Sequence, residues 1–127
     1  MKILLNSIPV IEQSRALEFY TKTLGFVKKN DIPMGEYRWL TVVSPKGHPD
    51  VELVLEPMGF PPAKAYQQAL YDAGVPATAF SVDDIQKEYE RLTAAGVVFK
   101  SKPQNMGPVT LAAFDDTCGN WIQLYQV

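Results

Sequence analysis

The 127-residue sequence is poor in the residues from which many sites are built. It has one cysteine, Cys118, and one histidine, His48. A single cysteine excludes an internal disulfide and a multi-cysteine zinc site. It fits a reducing, cytoplasmic setting. Neither sign of charge dominates: 12 basic residues stand against 14 acidic, for a formal charge of −2. With no basic cluster, nucleic acid is not an expected partner. No apolar run is long enough to cross a bilayer, so no membrane role is expected. The N-terminus MKILLNSIPV lacks a small-residue cleavage site and reads as a strand rather than a signal peptide. No Gly-x-Gly-x-x-Gly or Gly-Lys-Ser/Thr pattern occurs, which excludes a phosphate loop of those types.

What is present is a chain of one-domain length with 46% hydrophobic residues. Such a chain buries roughly two thirds of its unfolded surface and needs neither disulfide nor metal to fold. It also repeats itself. Residues 4–26 and 77–99 both read as strand, helix and turn. Val10 falls on Val82, Gly25 on Gly96, and the strand at Glu52 on the strand at Gln123. Two copies of one pattern indicate a duplicated module rather than a solenoid.

The expected elements follow from periodicity and punctuation. Strands are expected at 3–10, 37–43 and 51–55, and again at 78–82, 97–99, 109–114 and 121–126. A helix over 14–24 would bury Leu17, Tyr20 and Leu24. A second, capped by Asp83 with Gln86 as reciprocal partner, would bury Ile85, Tyr89 and Leu92. The expectation is an α+β fold: one domain, 1–127, of two tandem βαβββ modules, 1–56 and 77–127. A linker with a short helix, 57–76, joins them. Each sheet packs its helix on one face, and the other face forms a concave cup covered by the second module or a second chain.

The motifs Ile8-Pro9-Val10, Arg15-Ala16-Leu17-Glu18-Phe19-Tyr20, Leu24-Gly25-Phe26, Phe80-Ser81-Val82-Asp83-Asp84 and the turn Asp115 to Asn120 occur in this order. In that order and spacing the chain resembles the vicinal oxygen chelate superfamily, which holds glyoxalases, bleomycin resistance proteins and extradiol dioxygenases. In metal-dependent members, four inward-facing strand positions ligate a divalent ion. The resemblance maps them onto Leu5, Glu52, Ala77 and Gln123. Leu5 and Ala77 carry no donor atom, Glu52 is a good ligand, and Gln123 offers only a neutral carbonyl. No metal or other cofactor is therefore expected. The alternative is a divalent metal (Zn, Ni, Mn or Fe) held by Glu52, Gln123, water and substrate.

Strand alternation places Leu5, Ser7, Glu52, Val54, Ala77, Ala79, Trp121, Gln123 and Tyr125 on the cup face, with Trp39 at its rim. The mixture of apolar and aromatic groups with one carboxylate and one amide suits a small organic ligand. Three functions stay open. One is a metal-free binder of the bleomycin-resistance kind, which by the resemblance pairs as a homodimer. One is an enzyme, with Glu52 either a general base of raised pKa or a metal ligand in a lyase or dioxygenase. The third is an interaction module with a vestigial cup. His48 reads as a solvated turn residue and Cys118 as an inert thiol.

Overall fold

Apolar alternation and glycine punctuation produce two four-stranded sheets in the computed structural model, which describes Met1–Val127. The first half runs β1 (Leu5–Pro9), α1 (Gln13–Glu18) with a π-helical turn (Phe19–Thr23), β2 (Val27–Met34), β3 (Tyr37–Val43) and β4 (Glu52–Glu56). Then come α2 (Pro61–Ala73), β5 (Thr78–Ser81), α3 (Ile85–Ala94), β6 (Gln104–Asn105), β7 (Thr110–Asp115) and β8 (Trp121–Gln126). The sheet orders are β1-β4-β3-β2 and β5-β8-β7-β6. In each, the first pair is parallel and the others antiparallel. This is the expected α+β architecture of two βαβββ modules. The chain divides into compact units Met1–Ala65 and Tyr66–Val127, a division that falls inside α2. No helix is long and apolar enough to cross a membrane.

In the first unit Ile8, Val10, Leu40, Val42 and Leu55 are buried together with Ala16, Phe19 and Tyr20 of the helical segment. Of the anticipated stripe, Tyr20 is buried, while Leu17 and Leu24 are only half-buried. For Leu24 the π-turn is the reason. The Leu24 N–H donates to Phe19 O and the Phe26 N–H to Tyr20 O, so the 3.6-residue spacing fails beyond Glu18. Buried Gln13 ties the helix to the sheet where β3 and β4 have ceased to pair. Its Nε2 donates to Arg38 O and Leu55 O, and its Oε1 accepts from Arg38 N–H. Three backbone groups beyond the ladder are thereby satisfied by one amide.

Strand β2 was not expected, because Lys28, Lys29, Asn30, Asp31 and Pro33 are poor strand formers. It stands at the sheet edge, where charge and proline are tolerated. In the second unit α3 is capped by Asp84, which accepts from Lys87 N–H, and not by Asp83. Gln86 bonds Glu90 instead of closing a capping box. Residues 97–99 form no strand. Phe99 makes a single bridge to Phe114 and packs its ring against Tyr89 and Phe114.

The turn before β8 is organised by Asp116, which is fully buried. Its Oδ1 accepts from the N–H groups of Cys118 and Asn120, and its Oδ2 from Asn120 Nδ2. Gln67 of α2 lies over the turn and donates to Cys118 O and Asn120 Oδ1. A Cβ on Gly119 would meet the Gln67 amide at 2.8 Å, so glycine is what lets the helix approach. Asp116→Ala is expected to cost about 3 kcal/mol, because it strands buried donors. Urea unfolding measures this, and a loss within experimental error contradicts the role.

Candidate functional site

The chemistry-bearing face of the first unit is the sheet face away from α1. Register assigns it without ambiguity. Leu5 pairs with Glu52 and Ser7 with Val54 across β1 and β4. Glu52 pairs with Val43 and Val54 with Thr41 across β4 and β3. Ile32 pairs with Trp39 and Met34 with Tyr37 across β3 and β2. The first-unit residues expected to share the face, namely Leu5, Ser7, Trp39, Glu52 and Val54, are on it together. Leu5 is exposed, Trp39 half-buried and Val54 buried.

Glu52 shares this face with Glu56, four residues along β4, and is itself held on three sides. Its Oε1 accepts from Thr41 Oγ1 at 2.7 Å and from Asn30 Nδ2 at 2.9 Å. Lys29 Nζ lies 3.5 Å from Oε2. The donors are brought there by a β-bulge. Lys28 opposes Val42 and Asn30 opposes Thr41, so Lys29 is one residue more than the ladder needs. A regular ladder continued from Lys28 would set Lys29 against Thr41 and Asn30 against Leu40, on the helix side. With the bulge, Asn30 joins Thr41 and Glu52, and its N–H donates to Thr41 Oγ1 at 3.2 Å. Thr41 is fully buried and hydrogen-bonded as both donor and acceptor.

These bonds, Thr41 first, then Asn30 and Lys29, hold the Glu52 pKa below the ordinary carboxylate value, while partial burial opposes them. The expectation that apolar surroundings raise it is corrected: the sheet supplies donors that a reading of the apolar pattern omits. A carboxylate so stabilised is a weak base at neutral pH.

In the second unit, Ala79 pairs with Gln123, Ser81 with Tyr125, Ala113 with Gln123 and Asp115 with Trp121. Ala79, Trp121, Gln123 and Tyr125 thus share one face, while Ala77 precedes β5 and donates its N–H to Trp121 O. Trp121 is engaged by its own unit. Its ring stacks on Tyr71 at 5.2 Å, its Nε1 donates to Tyr71 O, and Lys100 Nζ sits 5.1 Å from the ring centre. The Tyr71 hydroxyl donates to Asp115, which raises its pKa. Half of this face is therefore spent on seating α2.

The two ladders also correct the repeat alignment. Val10 N–H donates to Glu56 O, and Val82 N–H to Tyr125 O. Glu56 thus corresponds to Tyr125, Val54 to Gln123, and Glu52 to Trp121. The slip from the sequence alignment is two residues, which alternation cannot detect because it preserves facing. The donor set at the four positions implied by the resemblance suits a divalent metal poorly. Leu5 and Ala77 have none, Gln123 is neutral, and Glu52 is already occupied beside an ammonium. No three side chains of histidine, cysteine, aspartate or glutamate gather in the chain to hold an ion. His48 is an exposed turn residue and Cys118 a buried free thiol.

Lys29, Asn30 and Thr41 were missed by sequence reasoning. The one signal was the polar run Lys28 to Asp31 directly before a clear strand.

Folded Glu52 titrates below its unfolded value, so its stabilising contribution is complete above that value and is lost as pH falls through the folded one. Glu52→Gln is expected to be about 1 kcal/mol less stable than wild type near pH 7. The gap should close as pH falls below about 4. Urea melts across pH measure it, and a gap constant with pH contradicts the assignment.

Comparison with known proteins agrees with this architecture. The model of the Glyoxalase/Bleomycin resistance protein/Dioxygenase superfamily matches residues 3–124. Uncharacterized protein YurT of Bacillus subtilis (strain 168) is 56% identical over 126 residues, covering 99% of both chains. The crystal structure of UcmS2 superposes with a TM-score of 0.84 at 35% identity, covering 98% of this chain and 97% of that one. TnmS3, an antibiotic binding protein from Streptomyces sp. CB03234, superposes with a TM-score of 0.78 at 31% identity, covering 99% and 95%. The chain belongs to the glyoxalase/bleomycin resistance protein/dioxygenase superfamily.

Proposed function

We propose that this member of the superfamily binds a small organic molecule without a metal and holds it without transforming it. One observation carries the reading. The single carboxylate among the four mapped positions is committed to Thr41, Asn30 and Lys29 and faces the alkyl side chain of Leu5. A carboxylate bonded in that way does not take up a proton readily at neutral pH, and a dication at its second oxygen, Oε2, would have to displace the Lys29 ammonium and find its other ligands elsewhere. The lowered Glu52 pKa likewise disfavours its use as a general base. The antibiotic-binding description of TnmS3, at 31% identity over nearly the whole chain, supports an antibiotic-like ligand.

In this reading each unit's sheet face offers its own set of contacts: Leu5, Ser7, Trp39, Glu52 and Val54 on the first, and Ala77, Ala79, Gln123 and Tyr125 on the second. Trp121 takes part with whatever edge of its ring the Tyr71 stack leaves open. A homodimer belongs to the same proposal. It is supported by exposed Met34 at the open end of the first unit's sheet face, which a second copy would cover. A cytoplasmic setting, supported by the free thiol of Cys118, completes it.

The test is a titration with a panel of antibiotics, bleomycin among them, followed by tryptophan fluorescence. The chain has two tryptophans, Trp39 and Trp121. Saturable quenching by at least one compound is expected, together with a melting temperature that rises with its concentration. Trp39→Phe should remove most of the quenching. If no compound in the panel binds, and turnover of a glyoxalase or dioxygenase substrate appears when Zn, Ni, Mn or Fe(II) is added, the proposal is wrong.

A further inference from the structure

The face around Glu52 is graded along its strands, and the gradient selects a ligand. At one end stand Lys29, Asn30, Thr41 and Glu52. Two residues along β3, about 7 Å away, is Trp39, and about 13 Å away is Tyr37. Ile32 and Met34 lie opposite them on β2. Ile32 is 51% and Met34 61% exposed. The loop after β4 packs against the Tyr37 ring, since a Cβ on Gly59 would lie 3.0 Å from it. An aromatic and aliphatic platform, with Glu56 along its β4 side, thus leads to the polar corner at Lys29.

In that corner Lys29 is the group with capacity to spare. Its ammonium has three donors. Its two partners, Glu52 Oε2 at 3.5 Å and Pro49 O at 3.4 Å, are both at the outer limit of contact. Its side chain is 38% exposed, against 19% for Glu52. The bulge is what places it there. Glu52 compensates its charge, so the corner offers a strong donor with little net charge. An anionic group brought to Lys29 would also approach the Glu52 carboxylate.

We propose that Lys29 is a ligand-contacting and specificity-determining residue. It donates to a neutral carbonyl-type acceptor at the end of an elongated aromatic molecule whose body lies on Trp39, Ile32 and Tyr37. Glu52 acts as a positioning residue that suppresses binding of carboxylates. This inference rests on the small-molecule-binder reading and names the ligand chemistry of that same site.

The test uses a matched pair of probes, 2-naphthamide and 2-naphthoate, titrated calorimetrically into the full chain. Wild type should bind the amide about tenfold more tightly than the carboxylate. Lys29→Met should weaken the amide about tenfold and leave the melting temperature nearly unchanged, while Lys29→Arg retains most of the affinity. Glu52→Gln should narrow or reverse the preference by strengthening naphthoate, a change that mere loosening of the fold would not produce. Equal affinity of Lys29→Met and wild type for the amide overturns the role of Lys29. So does a preference that Glu52→Gln leaves unaltered. Failure of both probes to bind, while an antibiotic from the panel does, overturns this proposal and leaves the binder reading standing. Failure of every compound removes both.

Discussion

A carboxylate on a largely apolar sheet face must be compensated, and the compensation of Glu52 organises the first unit's site. Thr41 and Asn30 donate to it, and Lys29 balances its charge. None of the three would suffice alone. An isolated buried anion is costly, and it remains ionised only where donors replace water. The arrangement depends on one extra residue in an edge strand. Regular pairing of the same residues onward from Lys28 would send Asn30 toward the helix side of the sheet.

That dependence explains how a superfamily of metal enzymes and binders can include such a site. The fold supplies two βαβββ frames whose cores are independent of what the open faces carry. Ile8, Val10, Leu40, Val42 and Leu55 pack beneath α1, while Ile122, Leu124 and Phe114 are buried with Ile85 and Leu92 of α3. Neither set involves Glu52 or Gln123. Residues on the open faces can therefore vary without loss of the frame, and function follows the face rather than the fold.

Much of the frame was legible from the chain. Strands β3 and β8 fall where they were expected, β8 because it alternates between a buried and an open face and β3 because it is rich in β-branched and aromatic residues. The facing of Glu52, Val54, Gln123 and Tyr125 was legible from alternation. Strand β2 was not, since its polar residues are tolerated only at an edge that local sequence does not reveal. The strand expected at residues 97–99 is reduced to a single bridge, where Val98 O and Lys100 N–H bond Asp115 and Ala113 of β7 and the Phe99 ring packs on Tyr89 and Phe114. The repeat partner of Glu52 was misread by two residues, the one error to which a period of two is blind. The cradle was hidden twice over: Thr41 and Asn30 lie 11 and 22 residues from Glu52, and a bulge has no sequence signature as plain as a glycine turn.

The claim that Glu52 is a compensated anion rather than a metal ligand is tested most directly by calorimetry. Metal-stripped wild-type protein would be titrated with Zn, Ni, Mn and Fe(II) under reducing, anaerobic conditions. The account predicts only the heat of dilution into the millimolar range, with Glu52→Gln indistinguishable from wild type. A stoichiometric, saturable isotherm that Glu52→Gln abolishes would contradict it.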